Sequence, residues 1–350
     1  VGLPHTEITK EFVNCAYTQK VLNFSKMMTE KGHTVFLYGA GDTTEAPCTE
    51  YVPCLTTVQR LGFFPKNGVQ PADQIRYDPN LPYWVVFNTT VATEITKRQR
   101  SSADFVCIIY GTCHEPITKE LKHLRSVEFG IGYTGTCKDT HRVFESQAWR
   151  NHVYGWHHQT NAATADTVIH NYYDMRDFQL TNDPADYFFY IGRMIENKGV
   201  EVAVKACSKL HEKLILAGSG DFRPAGATAH YIGHVTVAQR AEWMSKAKAT
   251  FVMTRYLPPF EGVHAESMLM GVPVITTDFG VTSTLPSRTH WAMPERSRSS
   301  RKEILPSSRT RCTQPRTFIF LPLWEPERML PIGAKSVPSA SMLSTPTRQE

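Results

Sequence analysis

Two cations five residues apart on a glycine-bounded turn are the first chemically suggestive feature of the chain. In Gly192-Arg193-Met194-Ile195-Glu196-Asn197-Lys198-Gly199 an apolar run ends on Gly192 and delivers Arg193 and Lys198 around a helix start. Exposed N–H groups and the positive helix end attract anions, and Arg and Lys supply charge, so the turn suits a diphosphate. A solvated Arg/Lys pair is the plainer reading of the same residues. A second segment is Pro258-Pro259-Phe260-Glu261-Gly262-Val263-His264-Ala265-Glu266. As a helix from Gly262 it places Val263, Ser267 and Met270 on one inward face, with Glu266 directed to the helix N-terminus. A carboxylate there accepts from sugar hydroxyls, and Gly262 admits a ligand close to the backbone. Gly218-Ser219-Gly220-Asp221 is a glycine-rich turn after a strand, ordinary loop punctuation by itself.

The remaining reactive residue types point less sharply. Fourteen histidines are spread along the chain. His5, in a loop after the first few residues, and His114, just past a strand, are the candidates for a direct role; His157, His158 and His170 rank below them. Gly39-Ala40-Gly41 lacks the third glycine of a dinucleotide fingerprint, which argues against a dehydrogenase. The eight cysteines contain no C-x-x-C, and Cys48/Cys54 and Cys107/Cys113 are spaced poorly for zinc, so reduced, mostly buried thiols are expected. No Asp-x-Asp motif is present, and neither a metal nor a cofactor is expected. Asn23-Phe24-Ser25 and Asn88-Thr89-Thr90 fit the glycosylation pattern, but nothing else marks a secreted protein.

The elements that must hold these residues alternate between strand and helix. Residues 9–31 read as a helix closed by Lys31-Gly32, and His33–Tyr38 as a buried strand running into Gly39. Further strands are expected at Tyr83–Phe87, Phe105–Tyr110 and Thr167–His170. The second half repeats the alternation: strands at Tyr187–Ile191, Lys213–Ala217, Thr250–Thr254 and Pro273–Thr277, helices at 199–210, 237–248 and 262–270. Strands separated by helices imply a parallel sheet with sites at the strands' carboxyl ends. The expected architecture is α/β, two Rossmann-like domains facing a cleft. Residues 1–171 form the first, 172–286 the second, and Asn171-Tyr172-Tyr173-Asp174 crosses between them.

At 350 residues with 41% apolar and 20% charged content, the chain has material for two cores and is neither disordered nor fibrous. No run of about 18 apolar residues suggests a membrane span, and the opening VGLPHTEITKEF shows no secretory signal, so a cytoplasmic location is expected. The first residues read as the end of a strand, and the chain as N-terminally clipped. The net charge of +5 is unevenly divided. Residues 287–350 carry 11 Lys+Arg, nine of them Arg, against 5 acids, a net of +6 with eight Pro and ten Ser. Residues 1–286 hold 27 basic and 28 acidic groups, a net of −1. The tail shows no sustained period, so it reads as an out-of-frame, disordered addition rather than a nucleic-acid arm.

Taken in order, Gly-Arg-x-x-x-x-Lys-Gly at 192–199, Leu-x-Leu-Ala-Gly-Ser-Gly-Asp at 214–221 and the Pro-Phe-x-Gly-x-x-x-Glu-x-Met-x-x-Gly-x-Pro-Val-Ile block at 259–275 resemble the donor domain of GT-B glycosyltransferases of the retaining family 4. The resemblance spans roughly residues 170–285. GLPHT at 2–6, VEFGIGY at 127–133 and RVFES at 142–146 look like the acceptor domain of a bacterial or phage-type subgroup. The resemblance implies that Arg193 and Lys198 hold the donor diphosphate and Glu266 the ribose. Glu261, Gly262 and Val263 would face the sugar and phosphates, with Gly192, Gly218 and Tyr231 shaping the donor site near the base. His114 and Glu261 become the catalytic candidates, and Gly2, His5 and Arg142 the acceptor-side ones. Two departures stand out. The family's first glutamate, eight residues before the second, is replaced by Pro258, and the Thr-Gly turn and closing helices after about residue 285 are missing.

The implied activity is transfer of a hexose, with retention, from a nucleotide-diphosphate sugar to a glycan or lipid-linked acceptor. No nucleic acid is expected as a partner, and any membrane contact would be peripheral. A non-catalytic nucleotide- or sugar-binding relative and a GT-B-fold sugar epimerase remain the alternatives.

Overall fold

A computed structural model describes residues 1–12, 15–64, 75–178, 183, 185–221, 226, 228–277 and 281. The expectations for 287–350, including the out-of-frame tail and the missing closing helices, lie outside the described residues.

In the first half, α1 (Ala16–Glu30) leads to β1 (Phe36–Ala40), β2 (Glu50–Leu55), α2 (Thr57–Phe63) and α3 (Pro82–Arg98). There follow β3 (Phe105–Ile108), α4 (Glu115–Glu120), β4 (Arg125–Ile131), β5 (His141–Phe144), α5 (Gln147–Trp156) and the short β6 (Thr167–Val168). β1 and β2 pair in parallel, and β3-β4-β5-β6 form a parallel four-stranded sheet. The chain start joins the two: the Val1 ammonium donates to Cys107 O at 2.9 Å and Gly2 N–H to Tyr38 O at 2.7 Å. Val21 of α1 and Trp149 and Val153 of α5 pack with Val127, Phe129 and Ile131 of β4 in one core. A second core sets Phe87, Val91 and Ile95 of α3 against Val52, Val106 and Ile108.

Three expectations are corrected here. Tyr83–Phe87 is not a strand but the opening of α3. Its β-prone residues do not share one buried fate: Val85 and Val86 are exposed, while Trp84, Phe87, Asn88, Val91, Ala92 and Ile95 form a buried helical stripe. Pro82 at the first turn fits that helix, so the longer period overrides the local run. The helix read over 9–31 is divided: Lys10–Phe12 is a 3-10 turn, and extended backbone at Cys15 precedes α1. Gly39 lies inside β1, not after it, and β2 was not anticipated because Pro53 interrupts its run; Pro is tolerated on a strand paired on one side only.

The second half is more regular. β7 (Phe188–Ile191), α6 (Val200–Lys209), β8 (Leu214–Ala217), β9 (Ala229–Tyr231), α7 (Val237–Lys246), β10 (Thr250–Val252), α8 (Gly262–Leu269) and β11 (Val274–Thr276) follow in turn. The five strands are parallel in the order β11-β10-β7-β8-β9. Side-chain alternation splits the core by face. Phe189, Ile215 and Ala217 meet Met244 of α7 and Met268 and Leu269 of α8, whereas Tyr190, Leu214 and Leu216 meet Val200, Ala203, Val204 and Cys207 of α6. The order turns back between β7 and β10, so loops leaving those two strands diverge and open a crevice at their carboxyl ends. No helix among the described residues is long and apolar enough to cross a membrane.

Candidate active site

The crevice between β7 and β10 is where the anion-suited turn falls. Gly192 follows β7, and its N–H donates to Ala217 O at 3.1 Å. At Gly218 (φ +135°) a Cβ would sit 1.8 Å from Gly192 O, so the two strand ends meet only because this residue is glycine. Tyr231 donates its hydroxyl to Gly218 O at 2.6 Å and braces the same turn. Gly199 (φ +65°) starts α6 with its α-carbon pressed on Met253 O of the loop after β10; a Cβ there would lie at 2.1 Å. That contact brings Lys198 to the residues after β10. Its ammonium donates to Thr254 Oγ1 at 3.4 Å and to Glu261 Oε1 at 3.3 Å, and lies 4.9 Å from the centre of the Tyr256 ring. Arg193 is exposed and lines the neighbouring cavity.

The two acids of the second segment live in different surroundings. Glu261 is the extended residue before α8, makes no side-chain cap to that helix, and turns its carboxylate to Lys198. Glu266 is buried within α8. One oxygen meets Arg240 at 3.1 Å, while Oε2 is buried without a partner. Burial raises the Glu266 pKa above the usual carboxylate value and Arg240 partly opposes it. Val263 packs into the core under α8, and Ser267 donates to Thr250 Oγ1 at 2.9 Å, so the inward face expected of this helix is formed. His264, passed over in the sequence, is buried with Nδ1 unpartnered, and burial lowers its pKa to about 4.

Tyr173 joins these groups to the first half. Its hydroxyl approaches Gly262, where a Cβ would lie 2.9 Å away, and its phenol is influenced by Glu266, Glu145, Arg240 and Glu261. Burial, reinforced by these carboxylates, holds it protonated. Beside it a cavity of about 610 Å³ opens between α1, the four-stranded sheet, residues 169–173 and the loops carrying Arg193, Pro259, Phe260 and Gly262. Its wall includes Lys20 of α1 paired with Glu145, which follows β5; Asn171 donates to the other Glu145 oxygen at 3.0 Å. Ser146 crosses to the second half, donating to Pro259 O at 2.7 Å. Lys20, Glu145 and Tyr173 line this candidate site without having been selected from the sequence. Glu145 carried the available signal, since it sits at the carboxyl end of a parallel strand.

The catalytic candidate His114 and the acceptor-side candidates His5, Arg142 and Gly2 lie elsewhere. His114 is fully buried, Nδ1 against Asn88 Oδ1 at 2.8 Å and Nε2 against Gly2 O at 3.0 Å, and burial pulls its pKa down to about 3. His5 is buried beside Cys15 and Arg60, its pKa also lowered to about 3 by burial. Arg142 is gripped by Asp166 through Nε at 2.8 Å and a second nitrogen at 2.5 Å. Gly2 supplies backbone contacts to Tyr38 and His114. None of these four lines the cavity. Their partners fasten the first half together, and Gly192, Arg193, Lys198, Gly218, Tyr231, Glu261, Gly262, Val263 and Glu266 cluster in the second. No group of three or more metal-binding side chains occurs among the described residues.

Two parallel α/β halves with a cavity between them make the architecture of the GT-B fold, and solved structures of glycosyltransferases show it too. AviGT4, a glycosyltransferase involved in avilamycin A biosynthesis, shares 18% identity over 77% of this chain and 73% of its own (TM-score 0.51). Sucrose-phosphate synthase from Thermosynechococcus elongatus shares 14% over 75% of this chain and 76% of its own (TM-score 0.52). Anabaena HepE, solved with UDP-glucose, shares 11% over 77% and 79% (TM-score 0.51). Residues 185–300 match the family model of the glycosyl transferases group 1. No curated protein matches the chain.

Proposed function

We propose that the protein is a retaining glycosyltransferase that moves a hexose from a nucleotide-diphosphate sugar to a glycan or lipid-linked acceptor. The observation that carries this reading is the convergence at the β7/β10 crevice. An exposed Arg193 and a Lys198 held by Thr254 and Glu261 stand at the crevice, and α8 beside them carries Glu266, which shares Tyr173 as a neighbour with Glu261 and whose buried Oε2 lacks a partner. A buried acceptor oxygen without a donor is costly, and a ribose hydroxyl supplies the missing proton. Arg193 and Lys198 meet the charge that develops on the departing diphosphate, where preorganised cations act most strongly. The group 1 match over 185–300 covers this half, and UDP-glucose in the HepE structure is a donor of the class proposed.

The Lys198–Glu261 pair favours a second reading, a non-catalytic binder of nucleotide sugars, because a carboxylate already neutralises the cation meant for phosphate. One experiment separates the two. The full chain is incubated with UDP-, GDP- and ADP-sugars while nucleoside diphosphate release is followed, and calorimetry with the same diphosphates runs in parallel. Binding with release supports the transferase; binding without release supports the binder; no binding to any of them overturns both.

A further inference from the structure

The 610 Å³ cavity changes character along its length. Where it meets the carboxyl ends of β4 and β5, its wall carries the Lys20–Glu145 pair, with the Glu145 side chain 3% exposed, and Asn171 bonded to the same carboxylate. Arg193 and Gly262 face this end from the second half. Towards the amino ends of β3 and β4 the wall becomes Met27, Met28, Phe105, Val127 and Phe129. The residues of α1 that line it run from Ala16 to Met28, which at 1.5 Å per residue is about 18 Å of helix. Phe105, at the far end, is 47% exposed, so the apolar path reaches the surface, where the Arg125 guanidinium lies 5.6 Å from the Phe105 ring centre.

Most of the wall at that end is apolar, with His33 beside Met28 and Asn23 on α1 its polar members, so a glycan would lose water from more hydroxyls than this wall could bond again. A hydrocarbon chain fits it well, and the volume lies within the range of small-molecule sites. Resting on the glycosyltransferase reading above, we propose that the cavity is the acceptor site and that the acceptor is a lipid. Its single alkyl or isoprenoid chain lies along the sheet beneath α1, and its hydroxyl is presented at the Lys20–Glu145–Asn171 end. In the transfer the bond from sugar C1 to the diphosphate oxygen breaks, its electron pair leaving with the diphosphate. A bond forms from C1 to the acceptor oxygen, and the acceptor hydroxyl's proton passes to the diphosphate.

The test uses the full chain and n-alkyl glucosides of four to ten carbons, titrated calorimetrically below their micelle concentrations. Affinity is expected to rise roughly fourfold for each added methylene, as burial of apolar surface requires. Met28→Trp and, separately, Met27→Trp fill the apolar wall and should flatten that rise while leaving nucleoside diphosphate affinity unchanged. An affinity independent of chain length would overturn the lipid acceptor, and so would a rise that survives both substitutions, since the chain would then lie elsewhere. Diphosphate binding in the same samples reports separately on the glycosyltransferase reading. If it is absent while the chain-length dependence persists, that reading fails and the apolar site stands.

Discussion

Glu261 and Glu266 are five residues apart, yet one is an ion-pair partner at a helix start and the other a buried acid with half its hydrogen bonding unmet. That difference orders their expected importance. Glu266→Gln should cut activity far more than Glu261→Gln, because the amide loses a strong acceptor where a ligand hydroxyl is needed, whereas Glu261 is replaced beside a partly solvated Lys198. Steady-state kinetics on both variants decide it; equal losses would show that Glu261 has taken over the role vacated at Pro258. Arg193 makes its contribution through charge alone. Arg193→Ala should weaken nucleoside diphosphate binding by tens of fold, since a charge-assisted hydrogen bond is worth about 1.5–3 kcal/mol, and should leave the thermal melt in place. Calorimetry showing unchanged affinity would remove this turn from the donor site.

At the level of elements, β4 carries a buried acid of a different kind. Glu128 is fully buried and accepts from the Tyr133 hydroxyl and Cys137 N–H, both at 2.9 Å, tying the loop after β4 back to its strand. Burial outweighs these donors and raises its pKa to about 7. The folded state therefore holds a proton that the unfolded chain releases near pH 4.5, so this group's contribution to stability is complete below pH 4.5 and is lost as pH rises to 7. The loss is on the order of 3 kcal/mol. Glu128→Gln cannot ionise, so between pH 4.5 and 8 the variant should gain about that much relative to the parent in denaturant titrations. A constant difference across this range would mean Glu128 is already ionised in the folded protein. The elements themselves were unequally legible. α7 announces itself with Thr236 and Gln239, which form a complete capping box, and α6 with its apolar period. α3 hides behind Tyr-Trp-Val-Val-Phe, whose local preference is overruled by a stripe extending to Ile95.

Across the whole molecule, α1 and the crossing segment hold the two halves in register. Asp174 accepts from Lys26 of α1 and from Arg176 at 2.7 Å, and its carboxyl is held far below the usual range chiefly by the Arg176 hydrogen bonds. Asp174→Ala should leave Lys26 without its partner and cost about 1–3 kcal/mol. The expected signature is a melt lowered by several degrees, with the kinetic loss larger in KM for the donor than in the melt alone would suggest. A variant that melts and binds like the parent would show that the Ser146–Pro259 contact suffices to hold the halves together.

What the sequence determined by itself was the class of fold and the residues that gather at the β7/β10 crevice. Gly192, Arg193, Lys198, Gly218 and Glu266 lie within short, ordered segments whose chemistry depends on local turns and helix starts, and local geometry is what a linear pattern records. Tertiary structure alone decided the rest. Lys20 and Glu145 are 125 residues apart and meet only because α1 packs across the end of β5. His114 and Arg142 looked available in the linear order but are spent on Asn88, Gly2 and Asp166 once the strands are stacked. A side chain's freedom to act depends on which partners the fold brings to it, and those partners are distant in sequence.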